Sequence, residues 1–232
     1  MDSVKRQIQE EWLPQDRLKG HALEHTAMYQ EIIEGFLTVR ETKLITEQLF
    51  THENTILNID QDYFNGDAYE GLTRQHRVYN WLSNDVISRI GLPNKLFQLP
   101  LFKDWEDLYI QCWGNILRQG QNLPQHCHRG VESEAQDDNR MYAMNIFLSG
   151  HTTTGTIIEG TKHHNDIGEL VILGEDVEHK VRTNYSQTPR VSLAMDVYDR
   201  DFTKGDSRMR EDERRYKHFK NPFMFKPIDS RS

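Results

Sequence analysis

The stretch that decides the fold runs from Glu169 to Val181 and has the sequence ELVILGEDVEHKV. An apolar run ends at Gly174, and the turn signal Gly174-Glu175-Asp176 separates it from a second short apolar segment that begins at Val177. Two short strands around a turn are typical of a β-sandwich or β-barrel. We therefore predict sheet structure here, with His179 at the start of the returning strand.

Similar strand-forming segments occur on both sides of this stretch. β-Forming residues bounded by turn signals predict further strands at Leu108–Trp113, Met141–Leu148, Thr153–Ile158 and Arg190–Tyr198. In the last of these, apolar residues alternate with smaller or polar ones from Val191 to Val197, so one face of the strand is predicted to be core. Short, closely spaced strands indicate a mainly β barrel.

The chain before the barrel has helical periodicity instead. We predict helices within residues 29–50 and 79–90, packed on the outside of the barrel, with Gly91-Leu92-Pro93 stopping the second. Thr38, with Glu41 three residues later, has the spacing of a capping box. We expect a single domain over residues 1–232. Its parts are a mixed helical region, a barrel core and a charged tail, at residues 1–105, 106–199 and 200–232.

Composition narrows the class of protein. The 232 residues carry a formal charge of −8, with 36% hydrophobic and 28% charged residues, which is typical of a soluble globular protein. Residues 200–232 hold 10 Lys/Arg and 6 Asp/Glu, so this tail is basic while the body is acidic. An acidic body gives no strong signal for nucleic-acid binding. No apolar run is long enough for a membrane helix, and only Cys112 and Cys127 are cysteines. We expect a cytoplasmic protein.

The sharpest chemical feature is the pair His126 and His128, separated by Cys127. On a strand, residues i and i+2 point to the same face, so the two imidazoles would converge on one point. His179 lies 51 residues after His128, on a predicted strand that a closed barrel can bring opposite the pair. Three imidazoles from two strands leave open positions on a metal ion, as catalytic sites require.

A cation follows at a useful distance. Arg190 lies eleven residues after His179, and Ser192 is on the same face of the same strand. A guanidinium and a hydroxyl inside a barrel can hold a carboxylate. The alternative for Arg190 is an ordinary surface salt bridge.

Taken together, these motifs resemble the iron(II)/2-oxoglutarate-dependent oxygenase superfamily, in its prolyl-hydroxylase-like branch. The resemblance covers residues 105–198 well and residues 29–50 loosely. It is carried by residues 113–128, 139–148 and 155–159, by Gly168-Glu-Leu through His179, and by Arg190-Val-Ser192.

The resemblance implies a double-stranded β-helix, also called a jelly-roll or cupin-like barrel. It further implies Fe(II) held by His126, His128 and His179 as the catalytic metal ligands. The co-substrates would be 2-oxoglutarate and O₂. The reaction would hydroxylate a C–H bond of a substrate that the sequence does not identify. Arg190 with Ser192 would bind 2-oxoglutarate, and Tyr142 and Asn145, on the strand after the first ligands, are further candidates for contact with it.

One departure from the family pattern leaves alternatives open. Most of the superfamily has a carboxylate two residues after the first histidine, where this chain has His128. Either the site uses three histidines, or an acid in the following segment replaces His128; the candidates are Glu132, Glu134 and Asp137.

The metal motifs also resemble those of cupins. Gly120, His126, His128 and Glu132 match the first cupin motif, without its final glycine; Gly168 and His179 match the second, with Gly174 where proline is usual. A three-histidine cupin dioxygenase or isomerase that does not use 2-oxoglutarate is therefore an alternative function. A non-catalytic barrel that binds a metal or a small ligand is another.

Overall fold

The computed structural model describes residues 28–58, 79–103, 105, 108–128, 141–151 and 154–198. Its strands are β1 (Gln30–Ile33), β2 (Tyr109–Leu117), β3 (Leu123–His126), β4 (Met141–Ser149), β5 (Thr156–Ile158), β6 (Thr161–His163), β7 (Leu170–Gly174), β8 (His179–Val181) and β9 (Arg190–Tyr198). Its helices are α1 (Val39–Leu57), α2 (Asp85–Arg89) and α3 (Leu92–Phe97), with 3₁₀ turns at Trp81–Ser83 and Pro100–Phe102. The predicted basic tail and the acids Glu132, Glu134 and Asp137 lie outside the described residues.

The strands form two antiparallel sheets. One has the order β1-β7-β4-β9-β2 and the other the order β3-β8-β5-β6. Consecutive strands of the chain alternate between the sheets along much of this path, which is the arrangement of a double-stranded β-helix. The predicted fold class is confirmed, and all six predicted strands are present, with some ends shifted by a few residues. No helix in the described part of the chain is long and apolar enough to cross a membrane.

Strand β9 shows why this sequence makes such a barrel. Side chains alternate across a strand, so Val191 and its outward-facing neighbours pack into the core beneath the helices, against residues such as Leu49 of α1. The other face carries Arg190, Ser192, Ala194 and Asp196, and residues of this face line the interior of the barrel. Both faces of β9 are therefore buried. One face packs in the apolar core, and the other presents polar and charged side chains to the barrel interior.

The predicted helix at residues 29–50 is wrong in its first part. Gln30–Ile33 is a strand that pairs antiparallel with β7, with Ile32 opposite Val171. Ile32 packs against the inner core and Ile33 against the outer one, so the two residues face opposite sides as a strand requires. The capping box is confirmed, since Thr38 and Glu41 exchange both hydrogen bonds at the start of α1. This helix continues beyond residue 50 to Leu57.

The predicted helix at residues 79–90 is divided. A 3₁₀ turn at Trp81–Ser83 precedes α2, because the side chain of Asn84 accepts hydrogen bonds from the amides of Val86 and Ile87 and so caps a new helix. Gly91 ends α2, as predicted, but α3 begins directly after it. Pro93 lies in the first turn of α3, where a missing N–H removes no helical hydrogen bond.

Gly168 lets the segment before α1 lie against the barrel, and its replacement gives a test of this packing. Its φ is +85°, and a Cβ there would lie 2.1 Å from the carbonyl oxygen of Leu37. We expect Gly168→Ala to lower the free energy of unfolding by at least about 1–3 kcal/mol, measured by denaturant titration. Gly160, with φ +78° and open space around it, is the matched control. Equal losses in both variants would contradict the predicted clash.

Glu169, the residue before β7, is buried but is not part of the wall of the barrel cavity. Its carboxyl makes the free energy of unfolding depend on pH. Burial, reinforced by the charge of Asp166, raises the pKa of this carboxyl from 4.5 to about 7. The folded state therefore binds a proton more tightly than the unfolded state, and the contribution of Glu169 to stability is lost as pH rises from 4.5 through 7. We expect Glu169→Gln to be more stable than the wild type by about 1–3 kcal/mol above neutral pH.

Thermal melts across the pH range test this expectation. The advantage of Glu169→Gln should disappear below about pH 4.5, where the wild-type carboxyl is protonated in both states. Glu47→Gln, at an exposed position of α1, is the control and should show no such trend. A pH-independent difference at position 169 would contradict the shifted pKa.

Candidate metal centre

Three histidines meet at one end of the barrel interior. Strands β3 and β8 pair so that His126 lies opposite His179, with ring centroids 4.2 Å apart. His128 follows two residues after the end of β3, where its amide donates to the carbonyl of Glu175 at 2.9 Å. One ligand atom from each of the three rings lies within 4.8 Å of the others. The sequence expectation that these three side chains converge agrees with this geometry.

The hydrogen bonds of the rings fix which nitrogen is available. Nδ1 of His126 lies 2.8 Å from the carbonyl oxygen of Pro124, and Nδ1 of His179 lies 3.0 Å from that of Val177. A carbonyl can only accept, so each Nδ1 carries the proton and donates it. In the neutral ring Nε2 then keeps its lone pair, which is the form that binds a metal. Nδ1 of His128 instead faces a carboxylate, Oδ1 of Asp196, at 2.7 Å.

The protonation states favour neutral ligands at two of the three positions. Burial lowers the pKa of His126, and it lowers that of His179 to about 3, where the neighbouring imidazoles add to the effect. Burial also acts to lower the pKa of His128, but the charge of Asp196 and its close contact with Nδ1 outweigh it and raise this pKa above 6.5. His128 is therefore the imidazole whose proton a metal must displace.

A pH dependence of metal binding follows. Because a metal binds only deprotonated Nε2, we expect Ni(II) affinity to fall as pH decreases through the pKa of His128, while His126 and His179 remain neutral. About one proton should be released per metal at mildly acidic pH and close to none at alkaline pH. Calorimetric titration in two buffers of different ionisation enthalpy counts these protons. Release of two or more near neutral pH would contradict the low pKa values of His126 and His179.

Arg190 is buried in the wall of the same cavity. Its side chain is 1% exposed, and burial lowers its pKa to about 10. Nη1 donates to Oγ of Ser192 at 3.2 Å and Nη2 to Oγ1 of Thr156 at 3.3 Å, and the guanidinium lies 5.4 Å from the centroid of the Phe147 ring. Within the described residues no carboxylate pairs with it, and its Nε has no hydrogen-bond partner. A buried cation of this kind is expected to bind an anion.

The cavity that joins the two groups has a volume of about 190 Å³. Its wall contains the three histidines at one place and Arg190 at another, with Asn115, Asn145, Thr156 and Asp196 as the other polar residues. The rest of the wall is mainly apolar, and includes Trp113, Leu123, Val171, Leu173 and Val181. Such a cavity suits a small ligand that has a charged group at one end and is otherwise sheltered from water.

Of the two further residues expected to contact a co-substrate, the structure brings only Asn145 to the cavity. Its Nδ2 donates to Oγ of Ser192 at 3.2 Å. The expectation for Tyr142 is wrong, because its ring packs in the outer core, stacked on Trp105 and edge-on to Tyr29. Tyr142 and Asn145 are three residues apart on one strand and must therefore face opposite sides.

Sequence reasoning missed two polar groups of the site. Asp196 is on the same face of β9 as Arg190 and Ser192, so continuing that alternation by four residues from Ser192 would have found it. Thr156 is held by Asn165, whose Oδ1 accepts from both the amide and the hydroxyl of Thr156. Asn165 lies beyond the hairpin of β5 and β6, so no local sequence pattern predicts its contact with Thr156.

Solved structures provide the comparison with known proteins. HygX from Streptomyces hygroscopicus, solved with nickel and 2-oxoglutarate, matches 75% of this chain and 83% of its own at 11% identity, with a TM-score of 0.51. EctD from S. alaskensis, solved with 2-oxoglutarate and 5-hydroxyectoine, matches 84% of this chain and 80% of its own at 12% identity, with a TM-score of 0.54. The chain has the fold of the 2-oxoglutarate oxygenases.

Two further comparisons bear on how far this extends. A prolyl-4-hydroxylase from Pseudomonas putida matches 77% of this chain and 97% of its own at 17% identity, but its TM-score of 0.48 is too low to assign the chain to that branch. No protein-family model and no curated protein matches the sequence.

Proposed function

We propose that the protein is an Fe(II)- and 2-oxoglutarate-dependent oxygenase that hydroxylates a C–H bond of a substrate still to be identified. The observation that carries this proposal is the position of Arg190. Within the described residues, a fully buried guanidinium without a counter-ion shares one cavity with three histidines whose ligand atoms lie within 4.8 Å of one another. A metal alone requires only the histidines, whereas a metal with an anionic co-substrate requires both.

The residues fit this pair of groups. His126, His128 and His179 would hold iron through Nε2, in a set of three that leaves positions open. Arg190, with the hydroxyls of Ser192 and Thr156 beside it, would bind the distal carboxylate of 2-oxoglutarate. When bound, iron(II) would allow O₂ to act as the oxidant: one oxygen atom goes to 2-oxoglutarate as it loses CO₂ and becomes succinate, and the other goes to the C–H bond of the substrate. HygX and EctD, which share the fold, were both solved with 2-oxoglutarate.

The protein's own contribution is to position these groups and to exclude water. Ser192 receives hydrogen bonds from Arg190 and Asn145, so its oxygen is fixed where the carboxylate would approach. The apolar wall formed by residues such as Leu173 and Val181 keeps water from the space between the cation and the histidines. A low-polarity surrounding strengthens the attraction between Arg190 and an anion.

A three-histidine oxygenase or isomerase that needs no 2-oxoglutarate is the second candidate. It is favoured by the ligand set itself, because His128 replaces the carboxylate that is usual in the superfamily. Replacing a carboxylate by imidazole raises the charge of the metal site by one unit, and iron, zinc, copper and nickel all accept imidazole ligands. This candidate leaves the buried charge of Arg190 without a role.

Binding and turnover distinguish the two candidates. Protein prepared anaerobically is loaded with Fe(II), and its affinity for 2-oxoglutarate is measured by calorimetry with and without the metal. We expect metal-dependent binding and, on admission of O₂, succinate formation that requires both. Stoichiometric Fe(II) binding with no affinity for 2-oxoglutarate would favour the second candidate. Absence of metal binding would contradict both.

A further inference from the structure

The three histidines are not held in the same way. His126 and His179 each donate Nδ1–H to a main-chain carbonyl two residues earlier in the chain, at Pro124 and Val177. These acceptors are neutral and belong to the same local segment as the ring they hold. His128 is different, because its Nδ1 lies 2.7 Å from Oδ1 of Asp196, a charged side chain on another strand of the other sheet.

Asp196 is well placed for this contact. It follows Arg190, Ser192 and Ala194 on the inward face of β9, and the side chains of Asp196 and His128 are only 15% and 13% exposed. Oδ1 has no hydrogen-bond partner among the described residues, so it can accept Nδ1–H from the ring of His128, 2.7 Å away. A carboxylate is rarely buried in a barrel interior unless something positive faces it.

Among the described residues that line the cavity, Asp196 is also the only carboxylate. The charge that a carboxylate ligand would bring to the metal is therefore present in the site, but one residue further out.

We propose that Asp196 is a positioning residue that holds the ring of His128 and supplies the negative charge that the three-histidine ligand set lacks. This inference rests on the proposed metal site. A carboxylate that accepts Nδ1–H makes Nε2 of the same ring a stronger donor to a metal and fixes the orientation of the ring. Asp196 thus acts on the metal through His128. Its negative charge, on β9, replaces the charge that is lost where His128 stands in place of the usual carboxylate ligand.

The test uses the whole chain and Co(II) alone as the probe, so that it does not depend on 2-oxoglutarate or on turnover. Asp196→Asn keeps the size and one acceptor oxygen but removes the charge, and Asp196→Ala removes both. Affinity for Co(II) is measured by competition with a chelator, and exchangeable Nδ1–H signals of bound histidines are recorded by paramagnetic NMR. Asp85→Asn, at an exposed position of α2, is the matched control.

We expect Asp196→Asn to weaken Co(II) binding roughly 10–100-fold, with the Nδ1–H signal of His128 shifted and those of His126 and His179 retained. Asp196→Ala should weaken it at least as much and lose the His128 signal. Asp85→Asn should bind as the wild type does. Thermal melts of the metal-free variants establish that each one is folded.

Two results would overturn the inference while leaving the proposed function intact. One is unchanged Co(II) affinity in a folded Asp196→Asn variant. The other is an oxygen ligand in the X-ray absorption spectrum of the wild-type Co(II) protein that Asp196→Asn removes, because Asp196 would then bind the metal directly. A wild-type protein that binds no Co(II), Ni(II) or Fe(II) would instead contradict the proposed function itself.

Discussion

Replacing His179 by alanine is expected to abolish metal binding at micromolar concentrations and all metal-dependent turnover. The residue contributes one of the three ligand atoms that lie within 4.8 Å of one another, the set of this kind that the described residues offer. Loss of a residue that merely supports a ligand weakens metal binding by roughly 10–100-fold, so loss of a ligand should exceed that range. Metal content after dialysis against a metal buffer, and Ni(II) titration calorimetry, measure the effect.

The same experiment on His128 decides between the two ligand sets left open by the sequence. His128→Ala should behave as His179→Ala does if the site uses three histidines. Retention of metal and activity in His128→Ala would assign the third position to an acid, with Glu132, Glu134 and Asp137 as the candidates. His164→Ala is the control, because His164 is exposed and lies apart from the triad.

Replacing Arg190 by methionine is expected to separate co-substrate binding from metal binding. A charge-assisted hydrogen bond contributes about 1.5–3 kcal/mol, so affinity for 2-oxoglutarate should fall roughly tenfold to a hundredfold. Metal affinity should be unchanged, because Arg190 makes no hydrogen bond to the histidines. Calorimetry of the Ni(II)-loaded protein with 2-oxoglutarate measures the first quantity, and chelator competition measures the second.

Arg190→Met should also have an unusual effect on stability. Among the described residues, the buried guanidinium of the wild type contacts two hydroxyls, as their hydrogen-bond donor, and one aromatic ring. Methionine fills a similar volume without a charge. We expect the ligand-free variant to be at least as stable as the wild type, but to gain less thermal stability than the wild type from the same concentration of 2-oxoglutarate. Arg182→Met, at an exposed position after β8, is the control. A large loss of stability in Arg190→Met would mean that this residue serves the fold.

The parts of the structure that the sequence predicted are those written in local patterns. Arg190–Tyr198 was predicted residue for residue, because a strand buried on both faces has a period of two whatever surrounds it. His126 and His128 were predicted to converge from their spacing on a strand. They do converge, but β3 ends at His126, and the amide of His128 is held by the carbonyl of Glu175 instead. The capping box at Thr38 depends on four neighbouring residues and was also visible.

The parts that were missed depend on contacts between distant segments. Gln30–Ile33 becomes a strand because β7 offers it a free edge about 140 residues later, and nothing within the segment announces that partner. Asp196 and His128 meet because β9 and the end of β3 lie in facing sheets. Tyr142 is a different kind of error, because the three-residue spacing from Asn145 already placed the two side chains on opposite faces.

The order of strands in the two sheets has a consequence for how the chain is made. Among the described strands, only β5 and β6 are neighbours both in the chain and in a sheet. The other pairings join strands far apart in the chain: β1 pairs with β7, β2 with β9 and β3 with β8. Pairings this far apart must overcome a large loop-closure entropy, so folding is expected on the slow side of the millisecond-to-second range. A nascent chain holds only two of the three histidines until residue 179 has emerged from the ribosome, so we expect the proposed metal to be captured only after that point.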